Sequence, residues 1–547
     1  MMKKMAALVF SMMLILSIIP NMPNAQAAPQ LRNLAANSTY TWSEAPESNY
    51  PDPGNKLIDG KKGTANVTDP AWVGHIKKKA REVTFDFGQR KSIASVKAHF
   101  LQDWPGSAIL FPLSVSIYVS DDSMNWGIVG HKATERGWTN GPPIDQTYVW
   151  DGSKDGVAGG GQGATMAYAR YVKVVFPMHP KAWTFIDEIE IMGTDGKADG
   201  AVVVNMKPFE FQYPGVDTAG IRNLSLVYNG YYPDVPEWTK DSLIPEIGYV
   251  NQARQVQDWF FDGVLMLGLQ SPAGRDFGKD SLLTDWQWYL DKTFGVQGDL
   301  KQLNEATKEV GIQLGQPNHK TKVVMMLPNP GESTTNFGDI DGDGITENFS
   351  EASVGIEKAL ATRQKAVRWW LQEVQNRWNA NNYSNLELVG MYWLDEDISW
   401  SKSAPDFLRM MNSDIHARGL KSFWIPHSVT YKSFIWKDAG FDAATYQPNY
   451  YFEDLSIDRL IDGVNTAKRY GMGVEVEFDN RMLTDNVFRN RFNDYMNAGY
   501  QYGFAGKGFT AYYKGSGPVL HDAANSTNAS IRELYDKLYK FTRGIGF

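Results

Sequence analysis

Apolar residues in this 547-residue chain recur at two different periods, and the change from one to the other divides it. Between about Asn33 and Gly193 they fall on alternate positions of short runs: EVTFDFG (82–88), SIASVKAHF (92–100), LSVSIYVS (113–120), ARYVKVVF (169–176) and FIDEIEIMG (185–193). Alternation broken by Gly, Pro, Asn and Asp turns predicts strands with one wet and one dry face, the make-up of a β-sandwich. GTDGKADGA (193–201), small, polar and aperiodic, reads as a linker. Beyond it, strand-like apolar runs at 224–230, 262–269, 322–330, 386–394, 421–427, 442–450, 473–479 and 508–515 alternate with segments of helical period such as 355–378 and 456–471. Eight strands, each followed by a helix, predict an α/β domain of the (β/α)8 TIM-barrel kind. A doubly wound open sheet is the alternative, but no glycine fingerprint follows the first strand. The expected divisions are a leader at 1–27, a sandwich at 28–195, a linker and lead-in at 196–220 and a barrel at 221–547.

The leader is expected because Lys3 and Lys4 precede an apolar stretch from about Met5 to Ile19 and an Ala25-Gln26-Ala27 cleavage pattern. It implies a secreted, extracellular protein. No later run approaches the roughly 20 apolar residues of a membrane helix. Cysteine is absent, so stability has to come from the core, helped by any bound metal. The net charge of -8, or -10 without Lys3 and Lys4, and the lack of a basic run argue against nucleic acid as a partner. Aromatics make up 13% of the chain, with 18 Trp, and in a secreted protein wet Trp and Tyr faces commonly stack on sugar rings. Trp42, Trp72, Trp104 and Trp183 are the candidate platforms in the sandwich.

In a barrel the active site lies at the C-terminal ends of the strands, so the polar residues closing each run are informative. They are Tyr228 and Asn229, Asn329, Asp395 and Glu396 after Trp393, His427, Gln447 and Asn449, Glu475 and Glu477, and Tyr512, Tyr513 and Lys514. Only the fourth and seventh strands end in carboxylates. Burying a charge is costly unless it is paired or used, and two carboxylates across a sugar-sized cleft are what glycosidic cleavage needs. Glu396 and Glu477 form the candidate catalytic pair, with Asp395 and Glu475 beside them and the other strand-end residues as candidate substrate contacts. Alternation puts Glu475 and Glu477 on one face.

A third constellation, DIDGDGITENFSE, spaces Asp339, Asp341 and Asp343 as the first half of a calcium loop does, with Gly344 after the third acid. Ser350 stands at the twelfth position and Glu351 follows it. Calcium is the one cofactor expected, with no organic cofactor.

The first segment resembles the discoidin-like, coagulation-factor type C module, through NLAANSTYTW, LIDG, VTFDFG, VSIYVSDDSMNW, ARYVKVVF and IDEIEIMG. The resemblance implies a carbohydrate-binding sandwich with glycan-binding loops at one end and often a nearby calcium ion. Gly159–Ala164 forms an expanded loop relative to that pattern. An acid after strand four and another after strand seven resemble the clan of retaining barrel glycosidases, which implies Glu396 as acid/base and Glu477 as nucleophile. That clan carries Asn before its strand-four acid, where this chain has Asp395. Through GMYWLDEDI and TYQPNYYF the second segment also resembles a secreted bacterial family of unknown function. The leading expectation is a secreted, monomeric glycoside hydrolase acting on a polysaccharide or oligosaccharide. The alternative is a non-catalytic cell-surface or matrix glycan-binding protein. A lyase or esterase fits less well, since no Gly-x-Ser-x-Gly elbow is present.

Overall fold

A computed structural model describes residues 30–76, 79–135, 140–152, 165–453 and 455–546. The expected leader at 1–27 and the loop Gly159–Ala164 lie outside them.

The N-terminal strands are β1 (Arg32–Asn33), β2 (Thr39–Trp42), β3 (Val73–Ile76), β4 (Arg81–Gln102), β5 (Ser114–Ser120), β6 (Gly127–Ala133), β7 (Ile144–Trp150), β8 (Met166–Phe176), β9 (Trp183–Asp195) and β10 (Ala201–Val202). Their spatial order is β1-β9-β4-β8-β5-β6, with β2 and β7 on β4, β3 on β9 and β10 on β8. All pairs are antiparallel except β10 on β8. Val83, Phe85, Val96, Val172, Val174 and Ile189 interleave in the core, as the alternation predicts. The runs 82–88 and 92–100 belong to one strand, β4. Gly88, at φ +71, takes the left-handed turn of an excursion across which the pairing with β8 shifts register.

The predicted linker is strand only at its ends. Gly193 and Asp195 end β9, and Ala201 and Val202 pair with Met166 and Ala167. The segment that joins the domains comes later and is pinned to both. Lys207 and Trp126 exchange backbone hydrogen bonds, the Gln212 amide N–H donates to the Met472 carbonyl, and its side chain bridges Asp442 and Ala444.

Next come β11 (Asn223–Tyr228), a small hairpin of β12 (Gly248–Val250) and β13 (Val256–Trp259), β14 (Gly263–Leu267), β15 (Thr321–Leu327), β16 (Leu386–Trp393), β17 (Lys421–Trp424), β18 (Ala443–Tyr446), β19 (Gly473–Glu477) and β20 (Thr510–Tyr513). Leaving out the hairpin, the eight parallel strands close into a barrel in chain order, and β20 returns to β11 through Asn223–Thr510 and Ser225–Tyr512. The predicted helices appear as Ile356–Asn381, stopped by left-handed Asn382, and Asp458–Tyr470, stopped by left-handed Gly471.

The sandwich lies along the helix Asp458–Tyr470. Lys79 pairs with Asp458 at 3.2 Å, the Ala80 N–H donates to Asp462 at 2.7 Å, and Arg469 donates to Glu82 at 2.7 Å. His131 stacks on Phe434 with ring centroids 4.2 Å apart, and Lys181 reaches Glu453 at 2.6 Å.

Candidate active site

At the barrel mouth β16 ends in two rings that face opposite ways. Tyr392 lies buried beside Glu396, Glu475 and Asp395, whereas Trp393 packs edge-on against Phe407 of the helix Ala404–His416. Trp393 is therefore a core residue behind the barrel wall and not a substrate platform. Past the strand the main chain is held from the β17 side. Trp424 Nε1 donates to the Asp395 carbonyl at 2.7 Å, and the His427 N–H and Thr430 hydroxyl donate to that of Glu396 at 3.0 and 2.8 Å. With the backbone fixed, the carboxyls are aimed.

Asp395 accepts from Asn329 Nδ2 at 2.8 Å and from the Asp397 N–H at 3.1 Å. Burial, chiefly, then the neighbouring Asp397 and Glu396, push its pKa up to about 7. Glu396 is open to solvent, walled in by the surrounding loops, and accepts from Gln447 Nε2 at 3.1 Å. Its carboxyl also titrates above the ordinary Glu range, mainly through desolvation.

The two acids of β19 meet opposite fates. Glu477 is fully buried and gripped by four donors: the N–H groups of Asn449, Tyr450 and Tyr451, at 2.7, 3.1 and 3.3 Å, and the Tyr495 hydroxyl. It clamps the turn after β18, where Asn449 sits at φ +53. Glu475 is equally buried, yet neither of its oxygens has a hydrogen-bond partner among the described residues. Burial first, then the charges of Glu477 and Glu396, push its pKa well above the ordinary value, and the Gln447 amide offsets only part of this. Of the two acids on β19, Glu475, which lacks the four donors of Glu477, is the one that keeps its proton.

The structure gathers Asn329, Asp395, Glu396, Gln447, Glu475 and Tyr228 around the mouth, with His427 and Asn449 on its rim. His427 pairs with Gln447 across neighbouring strands, and burial, then Arg459, push its pKa down to about 4, so it is neutral. Three expected contacts lie elsewhere. Asn229 is buried and bonded to Tyr289, Thr293 and Asp299. Tyr512 points outward to Asn223 and Phe541. Lys514 is buried against the Leu226 carbonyl and Glu246. The eighth strand's contribution is Tyr513, set edge-on to Tyr228 and Phe452 at 5.4 and 5.1 Å, and its signal was the parity opposite to Tyr512. Exposed Trp400, against Tyr431, adds an aromatic face on the loop after β16.

On the mouth side after β15, Asp339, Asp341 and Asp343 each offer a carboxylate oxygen, all within 4.8 Å of one another. The Gly342, Asp343 and Gly344 N–H groups fold onto the Asp339 carboxylate at 2.8, 3.2 and 2.8 Å. Lys365 lies 2.8 Å from Asp341 and also reaches Glu347. The oxygen donors suit a hard cation, with Lys365 as its competitor. In the sandwich, Trp72 is buried and stacked on His99, which removes it as a platform, while Trp42, Trp104 and Trp183 are half-buried.

Comparison with known proteins matches residues 223–540 to the family described as Domain of unknown function (DUF4855), and residues 35–189 to the F5/8 type C domain. No curated protein matches. Among solved structures, chitosan-binding module 1 of a chitosanase/glucanase from Paenibacillus sp. IK-5 is 21% identical, over 29% of this chain and 98% of its own, at a TM-score of 0.19. A Clostridium perfringens module in complex with GalNAc-beta-1,3-galactose is 14% identical, over 29% and 99%, at 0.21. A Streptococcus pneumoniae fucose binding module is 16% identical, over 29% and 94%, at 0.20.

Proposed function

The chain belongs to the DUF4855 family and joins that domain to an F5/8 type C domain, a kinship that brings no activity with it, and from the chemistry of the barrel mouth we propose that it is a secreted glycoside hydrolase. The observation that carries this reading is the juxtaposition of Glu396, just past β16, open to solvent and hydrogen-bonded by Gln447, with Glu475 on β19, buried and without a hydrogen-bond partner among the described residues. Two carboxyls whose surroundings differ this much divide acid and base roles between them. Glu475 supplies the proton to the leaving oxygen, and Glu396 is the carboxylate that attacks or activates water. Glu477, occupied by four donors, positions the turn at Asn449 and is not itself the second carboxyl. Tyr513, backed by buried Tyr228, and Trp400 supply aromatic faces for sugar rings, and the sandwich holds the chain to its polysaccharide.

The test is a polysaccharide panel with reducing-sugar detection, run on wild type, Glu396→Gln and Glu475→Gln. Each substitution keeps the shape and removes the titratable group, so turnover falls by about 100-fold or more. Near wild-type turnover in both variants would refute the assignment.

A further inference from the structure

Far from the mouth, at the N-terminal ends of β18 and β19, the sandwich, the barrel and the joining segment enclose a cleft of about 740 Å³. Its wall contains Arg469, whose side chain is only 5% exposed. Arg469 Nη2 donates to Glu82, but Nε and Nη1 have no hydrogen-bond partner among the described residues. The Tyr118 hydroxyl, on the same wall and also buried, is unpartnered too. A second opening of about 560 Å³ is lined by Arg469 as well. Buried donors left without acceptors are rare in a folded protein, and both side chains line a space large enough to admit one.

The charge of the cleft fits an acceptor that is an anion. Lys207, Lys437, Lys468 and Arg469 line it against Glu210, Asp217 and Asp438, four cations to three acids in a chain whose net charge is -8. The Lys437 ammonium is held below its usual range by burial and then by Lys207, a strain that an anion between the two would relieve. Tyr213, also on the lining and 50% exposed, presents an aromatic face beside these cations. A ring face next to oxyanion donors suits a sugar that carries an acid.

We propose that this interdomain cleft is a second glycan site, specific for an anionic saccharide whose carboxylate or phosphate oxygen is taken by Arg469 and Tyr118, with Lys207 and Lys437 matching its charge. It holds the acidic part of a polymer independently of any cleavage at the mouth. Calorimetric titration of the full chain with hexagalacturonate and with glucose 1-phosphate separates the two sources of anion, and cellohexaose is the neutral control. At least one acidic ligand binds, and cellohexaose binds about tenfold more weakly or less. The double variant Lys207→Ala/Lys437→Ala weakens the acidic ligand by about tenfold or more, and Tyr118→Phe weakens it by about threefold. Failure of both acidic ligands to bind, equal binding of cellohexaose, or an unchanged Kd in the double variant would overturn the proposal. Because the readout is binding, it stands or falls separately from the hydrolase assignment.

Discussion

Glu475 and Glu477 sit two positions apart on one strand and show how far hydrogen bonding alone decides what a buried carboxyl does. Four donors make Glu477 part of the scaffold, while Glu475, with no hydrogen-bond partner among the described residues and only the nearby Gln447 amide to offset its burial, is costly to ionise. The cost has a sign. A carboxyl whose pKa is higher in the folded than in the unfolded protein binds its proton more tightly when folded, so it lowers stability increasingly as pH rises from its unfolded pKa towards the folded one. Glu475→Gln, always neutral, escapes this. The variant is expected to melt at nearly the wild-type temperature at pH 5 and a few degrees above it at pH 8, while losing activity; equal melting curves at both pH values would contradict the raised pKa. At this scale the sequence was legible where the chemistry is rare. Acids inside an apolar run drew attention to Asp395, Glu396, Glu475 and Glu477. What it could not convey was the partner of each acid, because the donors to Glu477 come from Asn449, Tyr450, Tyr451 and Tyr495, on other elements. Nor could it convey which parity of the last strand faces inward, so Tyr512 and Tyr513 could not be told apart.

Elements were more legible than residues. Most residues of the barrel strands are buried, and the strands read as largely apolar runs between helices, a signal that survives without neighbours. The strand ends of the 193–201 stretch were not legible, because small polar residues suit a linker and a sheet edge equally, and only pairing such as that of Ala201 with Met166 decides between them. The loop after β15 was visible in its spacing, and the structure adds why the glycines are there: Gly342 and Gly344 stand at φ +77 and +82, where L side chains are disfavoured. If calcium binds Asp339, Asp341 and Asp343, it must displace Lys365 from Asp341. Calcium at about 100 times its Kd then stabilises the fold by about 2.7 kcal/mol, and chelation removes that gain. Lys365→Met should bind calcium more tightly. A melting temperature indifferent to both calcium and chelator, in wild type and variant, would exclude the ion.

For the whole molecule the decisive contacts run along the helix Asp458–Tyr470. Burial alone would raise the Glu82 carboxyl, but Arg469 and Lys173 together hold it below the ordinary range. A depressed carboxyl stabilises above its unfolded pKa and loses that contribution as pH falls through the folded one. Glu82→Gln, which strands the buried Arg469, is expected to cost on the order of 3 kcal/mol at pH 7 and much less near pH 3. Urea titration at the two pH values measures it, and a wild-type midpoint at pH 7 would show that the pair does not hold the domains together. The ring of strands carries a different consequence, one of timing. Asn223 finds its partner in Thr510, almost the whole domain later, so the closing seam forms only when the last strand has left the ribosome. The sandwich, whose strands all precede β11, is free to fold first during synthesis. By the time the helix Asp458–Tyr470 emerges, Glu82 is already in place on a finished surface, and the nascent barrel completes itself against a template supplied by its own N-terminal half.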